Sequence, residues 1–170
     1  MTSLARDTRG AVYVEYLIAC VPVVAFFVAT WQFIELATAD LVLKRAASAA
    51  ARAAIVILPD DPSFYGGDEG KAAKGKGGAL SGKKAEDITL AANLILGTMN
   101  VPPFPSQFSP ATVTFPDFKE GMERGAPLTA VVTTSFNCGM GWASIVCGGS
   151  SRTLTARATY AYQGAEYGYE

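Results

Sequence analysis

The chain contains no histidine at all, which removes the commonest general base and the commonest metal ligand. Charge is sparse and balanced: 14 basic residues stand against 15 acidic ones, so nothing points to a general affinity for nucleic acid. Cysteine is scarce too, with only Cys20, Cys138 and Cys147. No C-x-x-C spacing occurs among them, which argues against a redox pair or a four-ligand zinc site. There is no nucleophile elbow and no recognisable pair of carboxylates on neighbouring elements, and Asp60-Asp61 and Asp68-Glu69 are most simply loop solubilisers. No catalytic residue, cofactor or metal is therefore expected, and the chain is not read as an enzyme.

What the chain does have is apolar surface, unevenly placed. Half of its 170 residues are hydrophobic, and the excess lies in one block, which makes membrane attachment the first hypothesis. The length leaves room for one modest globular domain beside a long helix. Residues 1–10 are short and polar, with Arg6 and Arg9 against Asp7. They have the character of the charged region of an export signal and would stay cytoplasmic by the positive-inside rule. Lys44 and Arg45 beyond the block blur that asymmetry.

From Ala11 to Ile34 the helical length is about 36 Å, enough to span a hydrocarbon core of about 30 Å with some tilt. Tyr16 to Ile34 carries no charge, Trp31 stands where an interfacial aromatic would anchor the far end, and Glu35 is the first charge beyond. Pro22 removes one backbone donor and is expected to kink or locally unwind the helix. The apolar stretch is too long for a removed signal, and no small-x-small site closes it. Glu15 is the anomaly, because a carboxylate at the start of a span is costly unless it snorkels to water or meets a cation.

The run Gly10-Ala11-Val12-Tyr13-Val14-Glu15-Tyr16 resembles the class III signal of type IV pilin-like proteins, which a prepilin peptidase cuts after the glycine. The Glu-Tyr pair at the fifth and sixth positions after that glycine is similar to the tight-adherence (Tad/Flp) branch. The alanine-rich continuation from Arg45 to Ala54 looks like TadE-like minor pseudopilins. The resemblance covers about Arg9 to Ile57, roughly the first third of the chain.

It implies that Gly10 precedes the cut and that Ala11 becomes the new amino terminus, commonly N-methylated in such proteins. Glu15 and Tyr16 would be the assembly residues. Glu15 would lie about one helical turn from a cationic amine, its own or a neighbouring subunit's, and that attraction could offset the desolvation of both charges. The implied partners are the prepilin peptidase, other pilin and pseudopilin subunits, an inner-membrane pilus assembly platform and membrane lipid. The implied location is the bacterial inner membrane, single-pass with the C-terminal domain extracytoplasmic, or a surface pilus after assembly.

Beyond the span, Asp40, Lys44, Ser48 and Arg52 recur every four residues as a polar stripe, while Leu43, Ala47, Ala50, Ala54 and Ile57 form an apolar one. The alanines allow close backbone approach, to the domain or to neighbouring helices. Pro59, Asp60, Asp61 and Pro62 end the helix, and Ser63 to Gly82 reads as a solvated, flexible glycine and lysine linker. Within it, Gly70 to Gly77 nearly fits a P-loop, but Gly77 stands where Ser or Thr must hold magnesium and no hydrophobic strand precedes it. Nucleotide binding is not expected.

Lys84 to Met99 is expected to be a second helix with Ile88, Ala91, Ala92, Ile95 and Met99 on one face. Asn100 to Pro110 is proline-rich and extended, and Phe104 and Phe108 could cover the domain's edge. Three alternating runs come next, from Ala111 to Phe115, Leu128 to Phe136 and Thr153 to Tyr162, with threonine-rich outer faces. They suit an antiparallel sheet covered on one side by the long helix.

Cys138 and Cys147 fall in the connection between the last two runs. A structural bridge is expected there, since an exported segment oxidises its cysteines, and it would contribute about 2–3 kcal/mol by restricting the unfolded chain. Trp142 and the glycines inside that loop form a candidate contact tip.

The fold class expected is α+β and pilin-like: a long N-terminal transmembrane and stalk helix packed on a small antiparallel sheet domain with one further helix. Its parts are a leader at 1–10, a long helix at 11–58 that spans the membrane over about 11–34, a linker at 59–83 and an extracytoplasmic domain at 84–170. Two other readings compete. Leu17-Ile18-Ala19-Cys20 matches a lipobox, although about ten further apolar residues come after it where such a signal should end. An uncleaved, signal-anchored binding domain shares the topology without processing at Gly10.

Overall fold

The computed structural model describes residues 8–67, 73–74, 78–99, 108–119, 121–138 and 148–164. Helix α1 runs unbroken from Thr8 to Ile57. It begins before Gly10 rather than after it, and Pro22 lies inside it without ending it. A proline at that depth deprives only the Ile18 carbonyl of its i−4 donor, and a long apolar flank on both sides carries the helix through.

The chain divides within α1 into two compact units, residues 1–37 and 38–170. In the second unit, α1 buries Ala39, Leu43, Ala46, Ala47, Ala50, Ala51, Ala54 and Leu58. The expected apolar stripe is present at Leu43, Ala47, Ala50 and Ala54, and it is wider than expected, because alanine is small enough to be covered on either flank of the stripe. Ile57 is only half-buried.

The helix ends where Pro59 and two aspartates stand. Asp61 caps a short 3-10 turn, Pro62–Tyr65, by accepting the Ser63 amide at 2.8 Å, and Gly66 closes that turn in the left-handed region. Two-residue strands β1 (Ala73–Lys74) and β2 (Leu80–Ser81) pair antiparallel. The segment read as a structureless linker therefore holds a turn and a small ribbon. The near P-loop otherwise lies outside the described residues.

Helix α2 spans Lys83–Gly97 and buries Lys84, Ile88, Ala92 and Leu96. The expected face holds at Ile88 and Ala92 but included Ala91, Ile95 and Met99, which are only half-buried. The observed stripe is a strict every-fourth-residue row, which leaves Leu90 and Leu94 exposed. Asn93 ties α2 to the approach of the next strand by accepting the Ala111 amide at 2.9 Å.

Strands β3 (Thr112–Thr114), β4 (Pro127–Asn137) and β5 (Ser151–Ala161) form an antiparallel sheet in the order β3-β4-β5. Along β4 burial alternates strictly, with Leu128, Ala130, Val132, Thr134 and Phe136 inward. Thr134 is inward because its hydroxyl donates to the Ser109 carbonyl at 2.6 Å. That satisfies the one polar group on an otherwise apolar face. Phe108 packs edge-to-face on Phe136 with ring centroids 5.4 Å apart, and Phe115 is fully buried. These aromatics, with Ile88, Leu128 and Val132, form the core. One long N-terminal apolar helix, a small antiparallel sheet and a further helix make the chain an α+β protein of pilin-like layout.

Gly78 is required by geometry. Its φ is +82°, and a Cβ there would meet the Phe115 backbone at 2.9 Å. The close approach lets the Phe115 amide donate to the Gly78 carbonyl at 2.7 Å, which stitches the former linker to the end of β3.

Candidate membrane and assembly segment

The first unit presents apolar side chains on every side. From Val12 to Ile34 the large residues Val12, Tyr13, Leu17, Val21, Phe26 and Phe33 are all exposed, Phe26 by 76%. The helix containing them has a window of mean hydropathy 2.2, none of it buried within the protein. A soluble surface rarely carries a contiguous apolar patch beyond a few hundred Å². A helix hydrophobic all round belongs in a core or in lipid, and this one is long and apolar enough to cross a membrane.

Its far end is marked by an indole. Trp31 Nε1 donates to Glu35 Oε1 at 2.8 Å, one turn on, so the indole near the end of the apolar run is tied to the first carboxylate beyond it. That pairing suits a boundary where one end of the ring is apolar and the other wet. Thr30 returns its hydroxyl to the Phe26 carbonyl at 2.9 Å, which hides a polar group inside the helix. Gln32 is 6% exposed and its Nε2 has no partner among the described residues.

Gly10 and Ala11 lie within the helical run. Gly10 lies in the opening turn, where amides have no intrahelical acceptor, and Ala11 follows directly. Glu15 and Tyr16 are exposed one turn further on, and Glu15 makes no ion pair among the described residues. An i, i+4 separation places the backbones of Ala11 and Glu15 about 6 Å apart along the axis. The structure thus gathers Gly10, Ala11, Glu15 and Tyr16 at one helix end. Cys20 is free, half-buried and inside the unbroken helix.

Cys138 is elsewhere, just past the end of β4. It is disulfide-bonded, and its amide donates to the Ser150 carbonyl at 3.0 Å. Its expected partner Cys147 and the candidate tip residue Trp142 lie outside the described residues, as do Met1 to Asp7 of the leader and Phe104. No cluster able to hold a metal ion occurs among the described residues.

Two polar junctions in the second unit were not anticipated. Tyr160, on the inward face of β5, shares a hydrogen bond with Ser48 at 2.7 Å and accepts from Arg52 Nε at 3.3 Å, with the guanidinium 5.6 Å from its ring centre. The bonds from Ser48 and Arg52 hold the Tyr160 hydroxyl below the usual tyrosine range. Half of the supposed solvent stripe of α1 is therefore a contact with the sheet. The signal was visible as an inward tyrosine among alanines, whose hydroxyl needs a partner.

Lys84 is the second. At 2% exposure, its ammonium donates to the Leu58 carbonyl at 3.2 Å and to the Asp60 carbonyl. It also lies 5.3 Å from the Tyr65 ring centre. Burial pushes its pKa below the ordinary lysine value, against the pull of Asp60 and Asp61. Lys84 closes the carbonyl end of α1, where the last turn has no intrahelical donors.

No family model, curated protein or solved structure matches the chain. The functional reading rests on the helix and on the residues gathered at its start.

Proposed function

We propose that the protein is a minor pseudopilin of a tight-adherence type IV pilus, cut after Gly10 and packed through its N-terminal helix into the pilus or its initiating complex. One observation carries the reading. Glu15 is the only charge between Ala11 and Ile34, on a helix whose apolar surface faces outward all round, and it stands one turn from the residue that processing would turn into a cationic terminus. In the bilayer that carboxylate is costly unless it reaches water or meets a cation, and Ala11 of the same or a neighbouring chain supplies the cation. Tyr16 flanks it as the second assembly residue. Before processing the helix anchors the protein in the bacterial inner membrane with residues 38–170 outside the cytoplasm, an arrangement compatible with the oxidised Cys138.

The Gly10–Ala11 bond lies in the first helical turn, which frays at little cost, so a membrane peptidase can reach it. The lipobox reading fares less well, since cleavage before Cys20 would divide a helix that continues unbroken to Ile57. The mature N-terminus decides among the readings. Intact mass and N-terminal sequencing from cells with and without the peptidase should give Ala11 and Met1 respectively. Met1 in both would sink the assignment. Glu15→Ala should insert normally yet fail to assemble, whereas a plain anchor would lose nothing.

A further inference from the structure

Among the described residues the sheet ends on an edge with no partner strand. β5 is eleven residues long, and no described strand pairs with its outer side. Hydrogen bonds at both ends of the β4–β5 ladder set the alternation: the Cys138 amide donates to the Ser150 carbonyl at 3.0 Å and the Tyr162 amide to the Ala126 carbonyl at 2.8 Å. Even-numbered residues of β5 therefore bond to β4, and odd-numbered ones turn their N–H and C=O outward. The outward set includes Thr153, Thr155, Arg157 and Thr159, all exposed.

The expected alternation of a bonded ladder is visible in the side chains as well. Thr129 and Thr159 stand opposite each other with hydroxyls 3.0 Å apart, and Thr133 and Thr155 are 3.3 Å apart. Such close approach belongs to non-hydrogen-bonded pairs. Proteins commonly blunt an exposed edge with a proline, a bulge, a very short strand or a charged side chain, and of these β5 has only the charge, Arg157. β5 has an unbroken register along its whole length and contains no proline.

Charge selects the occupant. β5 carries Arg152 and Arg157 and no acid, and neither arginine forms an ion pair among the described residues. Arg157 points from the exposed face at the middle of the edge. Antiparallel pairing of two copies in full overlap would set Arg157 opposite its mate or on the adjacent diagonal, where like charges repel. A strand with a carboxylate at that position is attracted instead.

We propose that the free edge of β5 takes up an extended segment of a different protein chain as a fourth strand, with an acidic side chain opposite Arg157. Main-chain bonds to Thr153, Thr155, Arg157 and Thr159 supply affinity, and the arginine supplies choice of partner and register. The inference rests on the sheet alone and stands whether or not the chain enters a pilus.

The test uses the full chain in detergent and two nine-residue peptides of alternating threonine and valine, one with glutamate at its centre and one with lysine. The glutamate peptide should bind about fivefold or more tightly than the lysine one, and it should slow deuterium exchange at the odd-numbered amides of β5. Arg157→Glu should reverse the preference. Thr155→Pro removes one outward N–H and the hydroxyl contact with Thr133 without touching the main-chain bonds to β4, so it should abolish binding while the even-numbered amides stay protected. Equal binding of the two peptides, or no protection of the odd-numbered amides, overturns the proposal. So does self-association through this edge, detected as a Thr155→Cys disulfide dimer, since a second copy would then be the occupant.

Discussion

Replacing Lys84 by methionine should loosen the end of the long helix while leaving its apolar length intact. Methionine keeps the stem that lies in the core but removes the ammonium that holds the Leu58 and Asp60 carbonyls. A hydrogen bond to a charged donor contributes about 1.5–3 kcal/mol net, and a buried acceptor left unpaired costs a similar amount. Against two such losses stands the relief of a desolvated cation, so the expected destabilisation is about 2–4 kcal/mol. For a chain of this size that lowers the melting temperature by roughly 5–15 °C. Thermal melts of the full chain in detergent, followed by circular dichroism, give the number, with Lys83→Met at the exposed neighbour as control.

The pH dependence supplies a second readout. Because burial lowers the Lys84 pKa from its ordinary 10.5, the unfolded chain binds the proton more tightly. Stability from this group therefore rises as pH climbs from the folded value toward 10.5. Tyr65 works in the opposite sense, since burial and the neighbouring Asp60 raise its pKa, so its contribution is lost above the ordinary tyrosine value of 10.0. The methionine variant should lose the alkaline gain and keep the tyrosine loss. If Lys84→Met melts like Lys83→Met and shows the same pH profile, Lys84 does not hold the helix end.

Gly78→Ala should destabilise by about 1–3 kcal/mol from its positive φ alone, and by more through the contact with Phe115. Gly97→Ala, in the last turn of α2 with open space around it, should stabilise by about 0.5–1 kcal/mol; urea melts of the pair separate the two. Asp61 holds its charge below the ordinary value of 3.8, chiefly through the Ser63 amide and hydroxyl. Its contribution is present above 3.8 and is lost as pH falls through the lower folded value. Asp61→Ala should therefore flatten the acid limb of stability measured below pH 4.

What could be read in the chain beforehand was whatever depends on period. The charge-free run to Ile34 is visible because a helix able to cross a membrane needs about twenty apolar residues in succession, and the sheet because Leu128, Ala130 and Val132 alternate with threonine and valine. Phase was harder: α2 was placed, but its face drifted toward Ile95, because a narrow row of every fourth residue looks the same in sequence as a broad stripe. Lys84 was missed for a physical reason. A lysine in a polar context is ordinarily solvated, and only the fold brings two orphan carbonyls to it. Gly78 was hidden by composition, one glycine among many in a segment taken as flexible, although its neighbour Phe115 needs it. The group at Gly10, Ala11, Glu15 and Tyr16 was legible as a motif, and the helix adds that all four share its opening turns.

The alanine surface of α1 has a mechanical side. Ala46, Ala47, Ala50, Ala51 and Ala54 are buried there and bring no rotamers to freeze, but they also offer almost no protrusions to catch on the sheet. Against a pull along the helix axis such a surface is a smooth rail. Resistance to sliding then falls on Leu43, fully buried on the same helix, and on a few polar latches, Tyr160 with Ser48 and Arg52 partway along and Lys84 on the Leu58 carbonyl at the end. Tension applied along α1 should accordingly be met by these bonds in sequence, which makes them the places where the helix would first slip.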